Sequence, residues 1–214
     1  MTDPAHPPYH HGDLRAALLR AAEIELTECG VEGFSLRQVA RRAGVSHAAP
    51  AHHFGDVQGL LTALCTEGFN RLLAAQTARE QRAPADPRAQ LLAAGLGYID
   101  FARANKALFR LMFSSQKPDH RATELEQAGL RAYAHLVEQV SASGGKIGDG
   151  PQMSPDVAAV WAMAHGMSGL LDTSSMRSLA DLPPSARDAV LMDILDRSLP
   201  ERQPGWPVAV PDVG

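Results

Sequence analysis

The stretch from Gly33 to Gly59, GFSLRQVARRAGVSHAAPAHHFGDVQG, admits few folds. It opens on a capping box: the Ser35 hydroxyl can accept the N–H of Gln38, and Gln38 can reach back to the N–H of Ser35. Phe34 and Val39 flank that box at the spacing of a hydrophobic staple. Leu36, Val39, Ala40 and Ala43 recur every three to four residues, which gives a short helix one apolar face. Gly44 is the expected stop, because glycine takes a positive φ at little cost. Val45 is expected to turn inward, Ser46 to cap a second helix, and Val45 with Pro50 to form a second staple. Pro50 falls near the first turn of that helix, where a missing N–H is tolerated. Two short helices joined by a glycine-containing turn of this length predict a helix-turn-helix.

Charge supports a second helix that enters a groove of DNA. From Gly33 to Gly55 the charged residues are Arg37, Arg41 and Arg42, with no acid among them. His47, His52 and His53 add further donors. Upstream the chain is acidic, with Glu23, Glu25, Glu28 and Glu32 against Arg15 and Arg20, and the whole chain is net −4. Non-specific affinity for DNA is mostly phosphate electrostatics, so a local basic patch on an acidic chain suits a dimeric site-specific binder. The competing reading is a solvated, arginine-bearing face of an ordinary helical bundle. The capped helix-turn-helix pattern decides for DNA.

Several pieces taken in order carry a family resemblance: Leu18–Ala22, Gly30, Phe34–Ala40, Ala43–Ser46 and His53–Asp56. Together they resemble the N-terminal domain of TetR/AcrR-type transcriptional regulators, from about Tyr9 to Leu64. The resemblance implies an all-helical homodimer. It also implies a three-helix DNA-binding domain and a larger domain for a small effector and for dimerisation. In that family, effector binding usually releases the protein from its operator. Carried onto this chain, it places Arg37, Ser46, His47, Ala48, Ala51, His52, His53 and Val57 at the DNA.

The chain departs from the family at two of those positions. Ala51 stands where an aromatic, commonly Tyr, usually touches a phosphate, and Val57 stands where a Lys usually does. Both changes remove contacts that position the protein on the backbone rather than contacts that read bases. Each lost cationic contact is expected to lower affinity and shrink the salt slope by about one. Arg37, His52, His53 and the amides of Asp56–Gln58 are the expected compensation. Histidine as a class titrates near neutrality, so operator binding is also expected to respond to pH.

The remainder reads as helix after helix, with no alternating strand and no repeat: an all-α fold. A first helix is expected from about Asp13 to Cys29, ended by Gly30. Asp56 is expected to cap a long helix reaching about Arg82, and Asp86-Pro87 to cap one reaching about Ala104. Shorter or further helices follow over Lys106–Ser115 and Arg121–Ser141. A Gly-rich break, Ser143–Pro151, predicts a mobile loop. Ser154-Pro155 starts the next helix, to about Asp172, and Pro183-Pro184 opens the last, to about Leu199. The implied organisation is an N-terminal arm over 1–12, a helix-turn-helix domain over 13–58, an effector-binding and dimerisation domain over 59–199, and a disordered tail over 200–214. That tail carries Pro200, Pro204, Pro207 and Pro211.

The C-terminal half supplies candidate effector contacts. Tyr98, Phe101, Phe109, Met112, Phe113, Tyr133, Trp161 and Met167 are large and spread over several helices. Pockets in helical bundles are lined this way, although core packing accounts for any one of these residues taken singly. Trp161–Gly166 resembles a Trp-His-Gly motif of one C-terminal subgroup of the family. His165 is then a core histidine bonded to a neighbouring helix, the reading put first, or a polar pocket residue.

Small residues (Ala158, Ala159, Ala162, Gly166, Ser168, Gly169, Ser174) sit among apolar ones on the last two long helices. The apolar set is Val157, Val160, Leu170, Leu171, Val190, Leu191, Ile194 and Leu195, too wide a stripe for one helix. A two-fold homodimer interface is the expected use.

No cofactor, metal or membrane partner is expected. Hydrophobic residues at 45% and charged residues at 21% suit a globular chain, and no apolar run would span a bilayer. The first residues lack a signal-peptide pattern, and Cys29 and Cys65 read as buried thiols rather than a disulfide, so a cytoplasmic location is expected. Gly144–Gly150 lacks the strand and terminal Lys-Ser/Thr of a phosphate loop, and no strand scaffold presents a catalytic triad. His6, His10 and His11 could take a metal, but adjacent histidines on an arm more often do not. The expectation is a ligand-responsive repressor that binds a double-stranded operator and is released by a small, largely apolar effector. The alternative is a helical interaction protein of the same fold that has weakened or lost operator binding, as Ala51 and Val57 hint.

Overall fold

The computed structural model describes residues 11–148 and 153–199. The described residues are all-α: α1 (His11–Cys29), α2 (Leu36–Ala43), α3 (Ala49–Phe54), α4 (Val57–Glu80), α5 (Pro87–Ala104), α6 (Lys106–Ser114), α7 (Thr123–Ala142), α8 (Pro155–Leu170), α9 (Arg177–Ala180) and α10 (Pro184–Arg197). A single 3-10 turn, Ser174–Met176, runs into α9. These two short elements have no counterpart in the sequence reading. They hold fewer than two turns and carry no apolar period. His6, His10, residues 149–152 and the tail from Pro200 lie outside the described residues. The first helix begins at His11, two residues before the expected Asp13.

Packing gathers the chain into two compact units. One holds the described residues up to Gly68 together with Lys106–Gln127; the other holds Phe69–Asn105 and the described residues from Ala128 onward. In the first unit Leu18, Ala22 and Leu26 of α1 are buried with Val39 and Ala40 of α2 and with Leu60, Leu61 and Leu64 of α4. From α6, which packs on α1, come buried Leu108 and Leu111. Burying aliphatic side chains of this size stabilises by about 1.5–3 kcal/mol each.

Some expected caps form and others do not. Asp56 accepts the Gly59 N–H at 2.8 Å, Asp86 the Ala89 N–H at 3.0 Å, and Ser154 the Val157 N–H at 3.2 Å. Ser35 has the extended backbone of an N-cap, but its side chain makes no capping bond. The first turn of α2 is held by the Val39 N–H to the Ser35 carbonyl, 3.0 Å, and not by a reciprocal box with Gln38. Ser46 does not cap α3 either; the helix starts at Ala49, after Ala48. Pro50 is the physical reason. With Ser46 as cap, residue 50 would have to donate its N–H to the Ser46 carbonyl, and proline has none. A turn closed by the Ala49 N–H on that carbonyl, 3.0 Å, fills the gap and leaves Pro50 in the first turn.

Cys29 is exposed, contrary to expectation, because Thr27–Gly30 run past the end of the core. Cys65 is buried, and that burial pushes its thiol up to about 12.

In the second unit α5 is central. It is buried nearly all round from Leu91 to Ala102 and packs on α8 and α10. Gly97 permits its close approach to α4: a Cβ there would lie 2.6 Å from the Ala75 carbonyl oxygen and 2.6 Å from Gln76 Cα. Charged pairs fasten α10. Arg79 pairs with Asp100 and, at 2.8 Å, with Asp188, and Arg88 pairs with Asp196 at 2.5 Å. His135 of α7 meets Glu80 of α4 at 2.7 Å. No helix among the described residues is long and apolar enough to cross a membrane.

Candidate nucleic-acid interface and effector site

The helix-turn-helix is built from local geometry. Gly44 takes φ 68°, the left-handed conformation that stops α2, and its N–H and that of Val45 return to the Arg41 and Ala40 carbonyls at 3.2 and 3.0 Å. Val39, Ala40 and Pro50 are buried, which fixes the inner faces of α2 and α3. The outer face then carries Arg37, Arg41, Ser46, His47, Ala48, Ala51 and His52, all exposed. His53 is half-buried, edge-on to His52 with ring centroids 5.7 Å apart, and lies 6.2 Å from Phe54. Phe54 in turn sits under the Arg15 guanidinium at 5.3 Å. Val57 is 38% exposed at the start of α4.

The basic patch is smaller than the sequence suggests. Arg42 is turned away to α1, where its Nε lies 2.7 Å from the Glu25 carboxylate and its other nitrogens reach Glu28. Its hydrogen bond to Glu25 first, and those to Glu28, hold its guanidinium still more firmly protonated. Glu25 is 1% exposed, so Arg42 is the counter-ion of a buried acid. All three arginines of α2 keep exposed surface, and Arg42 is the one whose guanidinium is bonded to Glu25 and Glu28. The glutamates that make the N-terminal helix acidic therefore remove one cation from the DNA-facing set, and only their spacing from Arg42 across the α1–α2 turn could have shown it.

The candidate effector residues separate into groups. Tyr98 of α5 and Trp161 and His165 of α8 form a polar cluster: the Tyr98 Oη lies 2.8 Å from His165 Nδ1, and the Trp161 indole N–H donates to that oxygen at 3.3 Å. The hydroxyl accepts from Trp161 and can donate to Nδ1 when the imidazole is neutral with its proton on Nε2. Burial lowers the His165 pKa in agreement and raises that of Tyr98. Phe101 is buried. Phe109 and Phe113 pair with each other at 4.8 Å within the first unit, which also holds buried Met112. Tyr133, 37% exposed, stands apart on α7.

There it lines an open groove of about 860 Å³ with Leu130, Ala134, Val137, Ala142 and Ile147. Leu130, Tyr133, Ala134 and Val137 repeat every three to four residues, a signal present in the sequence. Among the described residues no group of histidines, cysteines and carboxylates is arranged to hold a metal.

The stripe assigned to a dimer interface also divides. Val157, Val160, Leu171, Leu191 and Leu195 are already buried within the second unit, and Ser168 bonds the Ala164 carbonyl. Ala159, Ala162, Gly166, Gly169, Leu170 and Val190 remain exposed.

A short helix pair with a glycine turn and an acid-free basic face, on a chain with a separate helical unit, defines a class: DNA-binding transcriptional regulators of helix-turn-helix type. Comparison with known proteins agrees. Residues 18–64 match the family described as "Bacterial regulatory proteins, tetR family", and residues 91–196 match "Tetracyclin repressor-like, C-terminal domain". The chain belongs to the TetR family.

A protein named HTH-type transcriptional regulator BetI, from Paraburkholderia xenovorans, is 29% identical over 197 residues, covering 88% of this chain and 95% of that one. Its namesake from Paraburkholderia phymatum is 36% identical over 124 residues, 57% of this chain. That alignment spans 60% of the P. phymatum protein, less than two-thirds of its length. A solved structure of a protein of unknown function from Rhodococcus sp. RHA1 is 37% identical, with a TM-score of 0.71, over 91% of this chain and 99% of that one. The TetR family regulator PfmR from Thermus thermophilus shares the fold, with a TM-score of 0.61 at 20% identity over 85% of this chain and 96% of that one. The relatives that carry a functional name are regulators, not enzymes.

Proposed function

We propose that this chain is a cytoplasmic repressor that binds its operator as a homodimer and leaves it when a small, largely apolar effector binds. The observation that carries the reading is the outer face of α2 and α3, where Arg37, Arg41, His47 and His52 are exposed with no acid on either helix. Phosphate contacts would come from Arg37, Arg41 and Ser46, and groove contacts from the turn and α3. Residues 13–58 would serve as the DNA-binding domain and 59–199 as the effector and dimerisation domain.

Dimerisation would use what α8 and α10 leave uncovered. Ala159, Ala162, Gly166 and Gly169 are small, a Cβ on either glycine would meet nothing within 4 Å, and Leu170 and Val190 are 45% and 41% exposed. Small residues beside exposed leucine and valine suit a self-complementary helical interface. The Tyr98–Trp161–His165 cluster is the polar element proposed to orient an effector among apolar neighbours. Its bonds from α8 to α5 also support the likeness of Trp161–Gly166 to the Trp-His-Gly subgroup. An effector that shifts the distance between the two recognition helices would abolish the fit to paired half-sites.

Selection of genomic fragments by the purified protein, followed by titration of the best fragment at several salt concentrations, tests this. Saturable binding to a near-palindromic site that falls steeply with salt is expected. Weak, sequence-indifferent binding would overturn it in favour of an interaction protein, the reading that Ala51 and the uncharged Val57 favour.

A further inference from the structure

The late start of α3 leaves two imidazoles, His47 and His52, and two alanines, Ala48 and Ala51, exposed on the turn and the helix that follows it. Ala48 and His52 stand four residues apart, and four-residue neighbours on a helix lie side by side; His47 lies in the turn that leads into the helix. The His52 N–H donates to the Ala48 carbonyl at 2.9 Å, so that pair is helical in fact. All four residues are exposed, while Pro50 between them is buried. The His52 imidazole therefore has the Ala48 methyl beside it along the helix. The remaining imidazole, His53, is half-buried against Phe54. Arg37 stands on α2, the helix that positions the pair rather than the one that enters the groove.

We infer that His47 and His52 are the base-reading residues of this protein, and that they set a half-site centred on guanines flanked by thymines. The inference rests on the operator-binding reading above and adds its specificity. Among Ala48, Ala49, Pro50 and Ala51 no side chain carries a hydrogen-bonding group, so hydrogen-bonded readout along this face falls to the two imidazoles. In the major groove guanine presents two adjacent acceptors, N7 and O6, and no donor. An imidazole N–H finds a partner there over a wider range of approach than at adenine, where a donor stands beside N7, or at cytosine, which offers a donor alone. The methyl groups of Ala48 and Ala51 make the apolar contact that a thymine methyl accepts and the other bases lack.

The test is sequence selection from a randomised duplex library by the full-length protein, run in parallel with His52→Asn, His47→Asn and Arg37→Ala. Asparagine pairs with adenine through N7 and N6, so each histidine variant is expected to change one guanine of each half-site to adenine. On the wild-type site each should lose about fivefold or more in affinity. Arg37→Ala should weaken binding to every sequence without changing the preferred one. Thermal melting of each variant, within a degree or two of the parent, shows that the fold is kept. A wild-type preference that both histidine variants leave unchanged would overturn the assignment while leaving operator binding intact. Failure of the wild-type protein to enrich any sequence would instead overturn the operator-binding reading itself, and this inference with it.

Discussion

The two compact units use polar side chains in opposite ways. On the outer face of α2 and α3, Arg37, Arg41, His47 and His52 point their donors outward, and no carboxylate on those helices competes for them. In the second unit the comparable groups are turned to one another: Arg79 to Asp100 and Asp188, Arg88 to Asp196, His135 to Glu80, and Tyr98 to His165. A surface that must meet phosphate keeps its cations solvated until DNA arrives. A helical body without sheet hydrogen bonds between its helices spends its charges on fixing how the helices lie. The boundary passes between neighbouring residues: Arg41 belongs to the first kind, and Arg42, paired with buried Glu25, to the second.

The largest expected effect breaks the second unit by sterics alone. Gly97→Val puts a branched side chain where even a Cβ would lie 2.6 Å from backbone atoms of α4. Backbone cannot rotate away as a side chain can, so a loss of about 3 kcal/mol in urea unfolding is expected. An unchanged midpoint would mean that α4 and α5 are not held at this separation.

Next comes the polar cluster. Tyr98→Phe removes the acceptor used by the Trp161 N–H and the hydroxyl bonded to His165 Nδ1, and about 1–2 kcal/mol should be lost. Urea unfolding of Tyr98→Phe beside the parent measures it. The same cluster sets a pH dependence. Burial lowers the His165 pKa in the folded chain, so the unfolded chain binds the proton more readily. Stability therefore carries the full contribution of neutral His165 above the ordinary imidazole range, and loses it as pH falls from that range toward the lowered folded value. Melting temperatures between pH 7.5 and 5.5 should fall more for the parent than for His165→Gln. Equal slopes would assign the acid sensitivity to other groups.

Legibility followed the same divide. Gly44, the buried Val39–Ala40 pair and the exposed histidines were readable because a helix-turn-helix is specified by neighbours within twenty residues. The caps at Asp56, Asp86 and Ser154 were readable for the same reason. Ser46 has the chemistry of a cap, but the N–H that Pro50 lacks four positions later moves the start of α3 to Ala49. In the C-terminal half, aromatic residues were visible but not their grouping. Nothing local says that Tyr98 meets His165 sixty-seven residues on, or that Phe109 and Phe113 pair in the other unit. The dimer stripe looked uniform because a pattern of valine, leucine and glycine does not distinguish faces buried within one chain from faces left open.

The smallest effect on stability, and the sharpest form of the comparison, sets Arg37→Ala beside Arg42→Ala. Arg37 is exposed and has no acidic partner on its helix, so its loss should change stability by less than about 0.5 kcal/mol. Operator affinity should fall, and the slope of log affinity against log salt should shrink by about 0.9, one phosphate contact's worth. Arg42→Ala should do the reverse. It leaves the Glu25 carboxylate buried without its guanidinium, so the urea midpoint should drop while the salt slope of the protein that remains folded stays put. If instead both variants lost the same share of the salt slope, Arg42 would have to leave Glu25 when DNA binds. The inward-facing pair would then be a reserve of positive charge rather than a strut between α1 and α2.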